Sequence, residues 1–111
     1  MNPPLTFIEV AIAVRNRTHE WEPDGGMSLE YRGLELAGEA GEACNQLKKL
    51  IRAQIGMVGG ETSLEPTAEE LADTIISSVG IANHLGIDIA QAVRNKFNKT
   101  TAKNNLTTTI R

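Results

Sequence analysis

The sequence predicts an all-α protein, a bundle of about four helices completed by oligomerisation. Three observations predict it. Apolar residues recur at spacings of three and four, the period of one face of a helix. No stretch shows the alternation of a half-buried strand, and Phe, Trp and Tyr together make up only 4% of the chain. The segment from Leu71 to Leu85 is apolar in nearly every direction, which in a chain of 111 residues demands neighbours on all sides.

The elements follow in order. Thr6 and Glu9 form a capping-box pattern, and Phe7, Val10, Ala11 and Val14 then repeat at helical spacing. Pro23, Gly25 and Gly26 mark a break that also holds His19 and the sole tryptophan, Trp21. A long second helix runs from about Ser28 to Gln54. Gly56, Gly59 and Gly60 interrupt it, and Pro66 closes the loop. A third helix starts near Thr67 and ends at Leu85, where Gly86 suits a left-handed cap. Asp88 and Gln91 form another capping box, opening a fourth helix through Ile89, Val93 and Phe97. Thr100 to Arg111 reads as an irregular polar tail.

Composition sets limits. Residues 1–111 suffice for one domain, too short for a two-domain enzyme, a TIM barrel or a full dinucleotide-binding fold. No apolar run approaches the ~20 residues of a membrane span, and the N-terminus lacks the basic flank and apolar stretch of a signal peptide. A single cysteine, Cys44, excludes an internal disulfide and any multi-cysteine metal site, and points to a reducing, cytoplasmic setting. Cys44 lies on the apolar side of the second helix, so a core role is expected. The net charge of −3 is unevenly spread: residues 1–73 carry thirteen acids and six bases, and residues 74–111 carry one acid and five bases. An acidic body with a basic end argues against bulk nucleic-acid binding, which wants one broad basic face. It suits a molecule that holds a cation with one part and a phosphate with the other.

The acids are placed for that. At 100° per residue, and measured from Glu39, Glu35 falls near about −40° and Glu42 near about −60°. Leu36, Ala40, Ala43, Cys44, Leu47, Leu50 and Ile51 span roughly +20° to +140°. Three glutamates therefore border an apolar face, where their mutual repulsion and desolvation demand a positive partner. In the third helix Glu70 and Asp73 are i,i+3 neighbours, with Ser77 one turn on. Antiparallel packing of the two helices would converge the four acids, and hard oxygen donors suit Mg²⁺ or Mn²⁺. The competing reading is solvated surface, with Glu70 serving only a Thr67-x-x-Glu70 capping box.

The stretch Leu34-Glu35-Leu36-Ala37-Gly38-Glu39-Ala40-Gly41-Glu42, followed by Glu70-Leu71-Ala72-Asp73, resembles the MazG-like all-α nucleoside triphosphate pyrophosphatases. Their signature is E-x-x-E, a spacer, then E-x-x-D; here 27 residues separate Glu42 from Glu70. The continuation Asp73-Thr74-Ile75-Ile76 and the segment Val93 to Lys103, with its Lys96-Phe97-Asn98 element, are also similar to small phage and bacterial members. The resemblance covers about residues 28–103. It implies hydrolysis of a (deoxy)nucleoside triphosphate to the monophosphate and pyrophosphate, in nucleotide-pool cleanup or control. It also implies Mg²⁺, with Mn²⁺ as a substitute, held by Glu39, Glu42, Glu70 and Asp73, and an obligate dimer or tetramer. Lys96 and Asn98 become the first phosphate-binding candidates, Lys49 and Lys103 the second, while Arg94 and Lys99 read as surface. Trp21 is a candidate to stack on the base, although its surroundings match no family pattern. Glu35 joins the four acids as a candidate general base. His84 stands about 16 Å along its helix from Asp73, too far to join them, and suits the helix C-terminus. The alternative is a non-catalytic oligomeric helical module that binds a cation or a partner.

Overall fold

The computed structural model describes residues 2–22, 24 and 26–111. The expected break at Pro23 and Gly25 lies outside them. Among the described residues the fold is all-helical: α1 (Phe7–Trp21), α2 (Leu29–Gln54), α3 (Glu65–Leu85) and α4 (Ile89–Lys103). No helix is long and apolar enough to cross a membrane.

The caps follow local chemistry. Thr6 Oγ1 accepts from the Glu9 backbone N–H at 3.1 Å, Ser28 Oγ from Tyr31 at 3.1 Å and Asp88 Oδ1 from Gln91 at 3.0 Å. Each satisfies one of the donors that a helix start leaves without a partner. The Gln91 side chain does not complete a box; it donates to Asn95 and accepts from Arg94. Gly86 ends α3 at φ 71°, the left-handed cap expected of it.

Two boundaries differ from the sequence expectation. The third helix begins at Glu65, with Leu64 in the cap position and Pro66 in its first turn. Proline is tolerated there because its missing N–H has no helical acceptor to lose. Thr67 is therefore buried inside the helix and is not its cap, so the capping role offered for Glu70 is gone. The fourth helix absorbs Thr100–Lys103, leaving only the last residues irregular. They fold back along α4: Asn98 Nδ2 donates to the Ile110 carbonyl and Asn98 Oδ1 accepts from the Ile110 N–H, both at 2.8 Å, while Arg94 Nε donates to the Arg111 carbonyl.

The third helix is central, as its all-round apolar surface requires. It packs most extensively on α2 and then on α1, whereas α4 rests on α1. Asn83 Nδ2 ties α3 to α1 by donating to the Ala11 carbonyl at 3.0 Å. Among the described residues only Ala43, Val79 and Ala82 are buried apolar residues, and of these Val79 alone is large and sealed, at 1% exposure. Leu47 and Ile51 of α2 and Leu71, Ile75 and Leu85 of α3 stay largely exposed. Cys44, expected in the core, is exposed as well, because α3 covers the arc of Leu36, Ala43 and Leu50 and leaves the rest of the apolar face bare.

The molecule is correspondingly open. It exposes 8409 Å², where a folded monomer of 12.0 kDa exposes roughly 6,000 Å². Its radius of gyration is 17.1 Å, against about 13 Å for a compact chain of this length.

Two substitutions check the local reading by urea unfolding at fixed protein concentration. Asp88→Ala removes the α4 cap and is expected to cost about 1 kcal/mol. Gly60 packs on the end of α2 so closely that an added Cβ would lie 2.6 Å from the Ala53 nitrogen. Gly60→Ala is expected to cost about 1–3 kcal/mol, as overpacking does.

Candidate functional site

The packing of α2 on α3 brings the two acidic pairs together. One carboxylate oxygen each from Glu39, Glu70 and Asp73 lies within 4.8 Å of the others. Glu42, outside that trio, lies near enough to Glu70 for its charge to raise the Glu70 carboxyl. Glu39 meets Asp73 and Glu42 meets Glu70, the pairing of antiparallel helices. Glu35, one turn before Glu39, adds its charge to the Glu39 carboxylate.

The cluster has no cation of its own among the described residues, whose one ion pair, Arg32 with Glu22, lies elsewhere. Glu39 Oε2 and Glu70 Oε2 are buried and accept no hydrogen bond. Buried carboxylate oxygens without donors are costly, and a proton, a cation or a donating water satisfies them. Both carboxyls respond accordingly. Burial, then the charges of Asp73, Glu42 and Glu35, holds Glu39 above its ordinary value of 4.5. Glu70 is raised by its hydrogen bond with Glu42, then by burial and the charges of Glu42, Glu39 and Asp73.

The basic candidates are not brought there. Lys96 and Lys103 are exposed on α4, a helix that packs on α1 and not extensively on the acid-bearing pair. Asn98 is half-buried with its amide engaged by the backbone of Ile110. Lys49 is half-buried on α2, beyond the acids.

Trp21 is the last residue of α1 and not part of a loop, and it is exposed. The Arg17 guanidinium lies 4.8 Å from the centre of its ring, a cation–π contact that covers one face. Trp21 and Arg17 both line a cavity of about 380 Å³ between α1, α2 and α3. Trp21, Met27, Tyr31, Val14, Ile76 and Ile81 give it apolar and aromatic walls, and Arg17 and Arg32 add donors. Glu35 and Ser77 also line it. These stand one helical turn from Glu39 and Asp73, so the cavity adjoins the acidic cluster. Volume and lining are those of a small-molecule site.

Sequence reasoning missed Arg17, Arg32, Glu22 and Tyr31. The Arg17–Trp21 spacing of four on one helix was the available signal. Glu22 and Arg32 meet across the α1–α2 reversal, and no spacing rule reports that contact.

No protein-family profile matches the chain, and no solved structure does. A stretch of 71 residues is 32% identical to the "Gene 37 protein" of Mycobacterium phage L5, covering 64% of this chain. The matched stretch spans 61% of that protein's length, less than two thirds of it.

The raised carboxyls fix a pH dependence. A carboxyl that binds its proton more tightly folded than unfolded favours the fold as pH falls towards 4.5 and opposes it as pH rises through the raised value. In EDTA, Glu39→Gln is therefore expected to raise the melting temperature near about pH 7 and to flatten its fall between acid and neutral pH. Differential scanning calorimetry checks both.

Proposed function

We propose that the chain is a divalent-cation-dependent nucleoside triphosphate pyrophosphohydrolase of the MazG-like kind. It cleaves a (deoxy)nucleoside triphosphate between the α and β phosphates, in nucleotide-pool cleanup or control. The observation that carries the reading is the convergence of two acidic pairs around Glu39 Oε2 and Glu70 Oε2, buried oxygens with no donor. The donor set is all oxygen and strongly anionic, which fits Mg²⁺ and accommodates Mn²⁺.

Glu39, Glu42, Glu70 and Asp73 would hold the cation. When bound, it supplies neutralisation of the triphosphate and acidification of water. The residues of this chain do the rest. Glu35 borders the cluster and the cavity and is the carboxylate free to take the proton of the water that attacks the α-phosphorus. The apolar cavity receives the base, and the Trp21 indole offers its uncovered face for stacking. Lys96, with Lys103, neutralises phosphate.

Within one chain Lys96 sits on a helix that does not pack extensively on the acids, so the reading includes a homo-oligomer, dimer or tetramer, in which α4 of one copy approaches the acids of another. The excess exposed surface and the bare apolar arcs of α2 and α3 support that assembly. Burying them at about 25 cal/mol per Å² is ample driving force for association.

The following outcomes test the reading. With Mg²⁺, the products are a nucleoside monophosphate and pyrophosphate, separated by anion-exchange chromatography; a diphosphate with orthophosphate overturns the assignment. Asp73→Asn lowers turnover by at least about tenfold, 1.4 kcal/mol of barrier, and weakens Mn²⁺ binding by calorimetry. Lys96→Ala keeps Mn²⁺ binding and weakens triphosphate cleavage. A stable folded monomer by sedimentation at micromolar concentration overturns the oligomer, and cation binding with no hydrolysis of any nucleotide leaves the binding module.

A further inference from the structure

A second cavity, of about 590 Å³, opens along α1 and α3 at the reversal that leads into α2. Among the described residues its lining holds no wholly apolar side chain. Arg15 and His19 of α1, Arg32 of α2 and His84 of α3 line it, with Thr18 and Asn83 between them. Glu22 is the one acid there. The chain has two histidines, and both are in this lining. Such a composition runs against the rest of the molecule, whose net charge is −3 and whose surface exposes many large apolar side chains. An apolar ligand or the apolar face of a partner helix would need apolar walls, and finds none here.

The lining is built by helix geometry. Arg15 and His19 are four residues apart on α1 and share one face of it. Asn83 Nδ2 donates to the Ala11 carbonyl at 3.0 Å, which fixes the register of α3 on α1. His84 is the neighbour of Asn83, and Arg15 follows Ala11 by one turn, so the register carries both basic side chains to the same cavity.

Donors outnumber acceptors in it. Glu22 is already committed: its Oε1 accepts from Arg32 Nη2 at 2.9 Å and from the Met27 backbone N–H at 2.6 Å. Arg15 has no ion pair among the described residues. Arg32 Nε is buried and donates to nothing among them. Each imidazole carries an N–H donor whether neutral or protonated. A water can accept from Arg32 Nε, but it brings no charge to set against Arg15; an anionic oxygen brings both.

We propose that this cavity is a binding site for a phosphate group, with Arg15 supplying the uncompensated charge and Arg32, His19 and His84 supplying further donors. A guanidinium suits that ligand because its planar fork donates two N–H bonds to two oxygens of one phosphate. Inorganic phosphate, pyrophosphate and the phosphate end of a nucleotide all present those oxygens. The site does not rest on the hydrolase reading. It needs no divalent cation, and none of its residues belongs to the acidic cluster.

The experiment is isothermal titration calorimetry of the full chain in EDTA, at constant pH and ionic strength, with sodium phosphate, pyrophosphate and adenosine monophosphate as probes. EDTA prevents a divalent cation from carrying phosphate to the acids. NMR of the two imidazoles, followed in the same titrations, reports where the ligand sits. Wild type is compared with Arg15→Gln, which keeps an exposed polar side chain and removes only the charge. The control is Lys48→Ala, the loss of an exposed cation about 24 Å along α2 from Arg32. The expected result is saturable binding of phosphate or pyrophosphate that shifts the imidazole resonances. Arg15→Gln weakens it by about tenfold or more, the scale of one lost charged hydrogen-bonding partner, and Lys48→Ala leaves it unchanged. Equal weakening by Lys48→Ala reveals diffuse charge attraction and overturns the site. Binding unchanged in Arg15→Gln overturns it too, as does the absence of both heat and imidazole shifts at millimolar phosphate and pyrophosphate. Binding of adenosine monophosphate alone places that ligand in the apolar cavity and also overturns the site. No outcome depends on hydrolysis, so failure of the hydrolase reading is seen separately.

Discussion

Everything near the candidate site depends on one constraint: four carboxylates are held together by the antiparallel packing of α2 on α3. Glu39 faces Asp73, and Glu42 faces Glu70. Like charges so placed repel, and the two buried oxygens have no donors to offset their lost hydration. Ionised together, they weigh against the packing of the two helices. The Thr67 cap would have offered Glu70 an ordinary structural role, but the helix begins before Thr67 and that role does not exist. The arrangement therefore has an energetic cost that no ion pair among the described residues offsets.

The second organising fact is the imbalance between apolar surface and core. The third helix has enough apolar side chains for a central strut, yet Leu71, Ile75 and Leu85 are left largely exposed. The second helix uses the arc around Ala43 and leaves Leu47, Cys44 and Ile51 bare. Three buried apolar residues among those described make a thin core for a chain of this length, and the excess surface is of the size that protein association commonly buries. Acidic cluster and basic α4 are likewise separated within one chain.

The cavity between α1, α2 and α3 links these features to chemistry. Its walls come from three helices, and its border with the acids is built by Glu35 and Ser77, each one turn from a member of the cluster. The cavity thus adjoins the acidic edge. The Arg17–Trp21 contact and the Glu22–Arg32 pair both contribute to its lining.

Much of this was legible in the sequence, and the division has physical reasons. Helix existence, order and most ends follow from local rules: apolar period, the caps at Thr6, Ser28 and Asp88, and the left-handed glycine at position 86. The E-x-x-E and E-x-x-D pairs were legible because i,i+3 spacing places both acids of a pair on one face of any helix. The start of the third helix was misread because Pro66 serves equally as a loop closer or as a first-turn residue, and the sequence does not distinguish them. Tertiary structure alone decided the rest. Which arc of α2 the third helix covers put Ala43 inside and Cys44 outside. Where the α1–α2 reversal lands joined Glu22 to Arg32 across ten residues. The fold-back of the last residues engaged Asn98, and the seating of α4 on α1 kept Lys96 away from the acids. Local chemistry sets what each helix presents; only packing, summed over many weak contacts at long sequence separation, sets what it presents to.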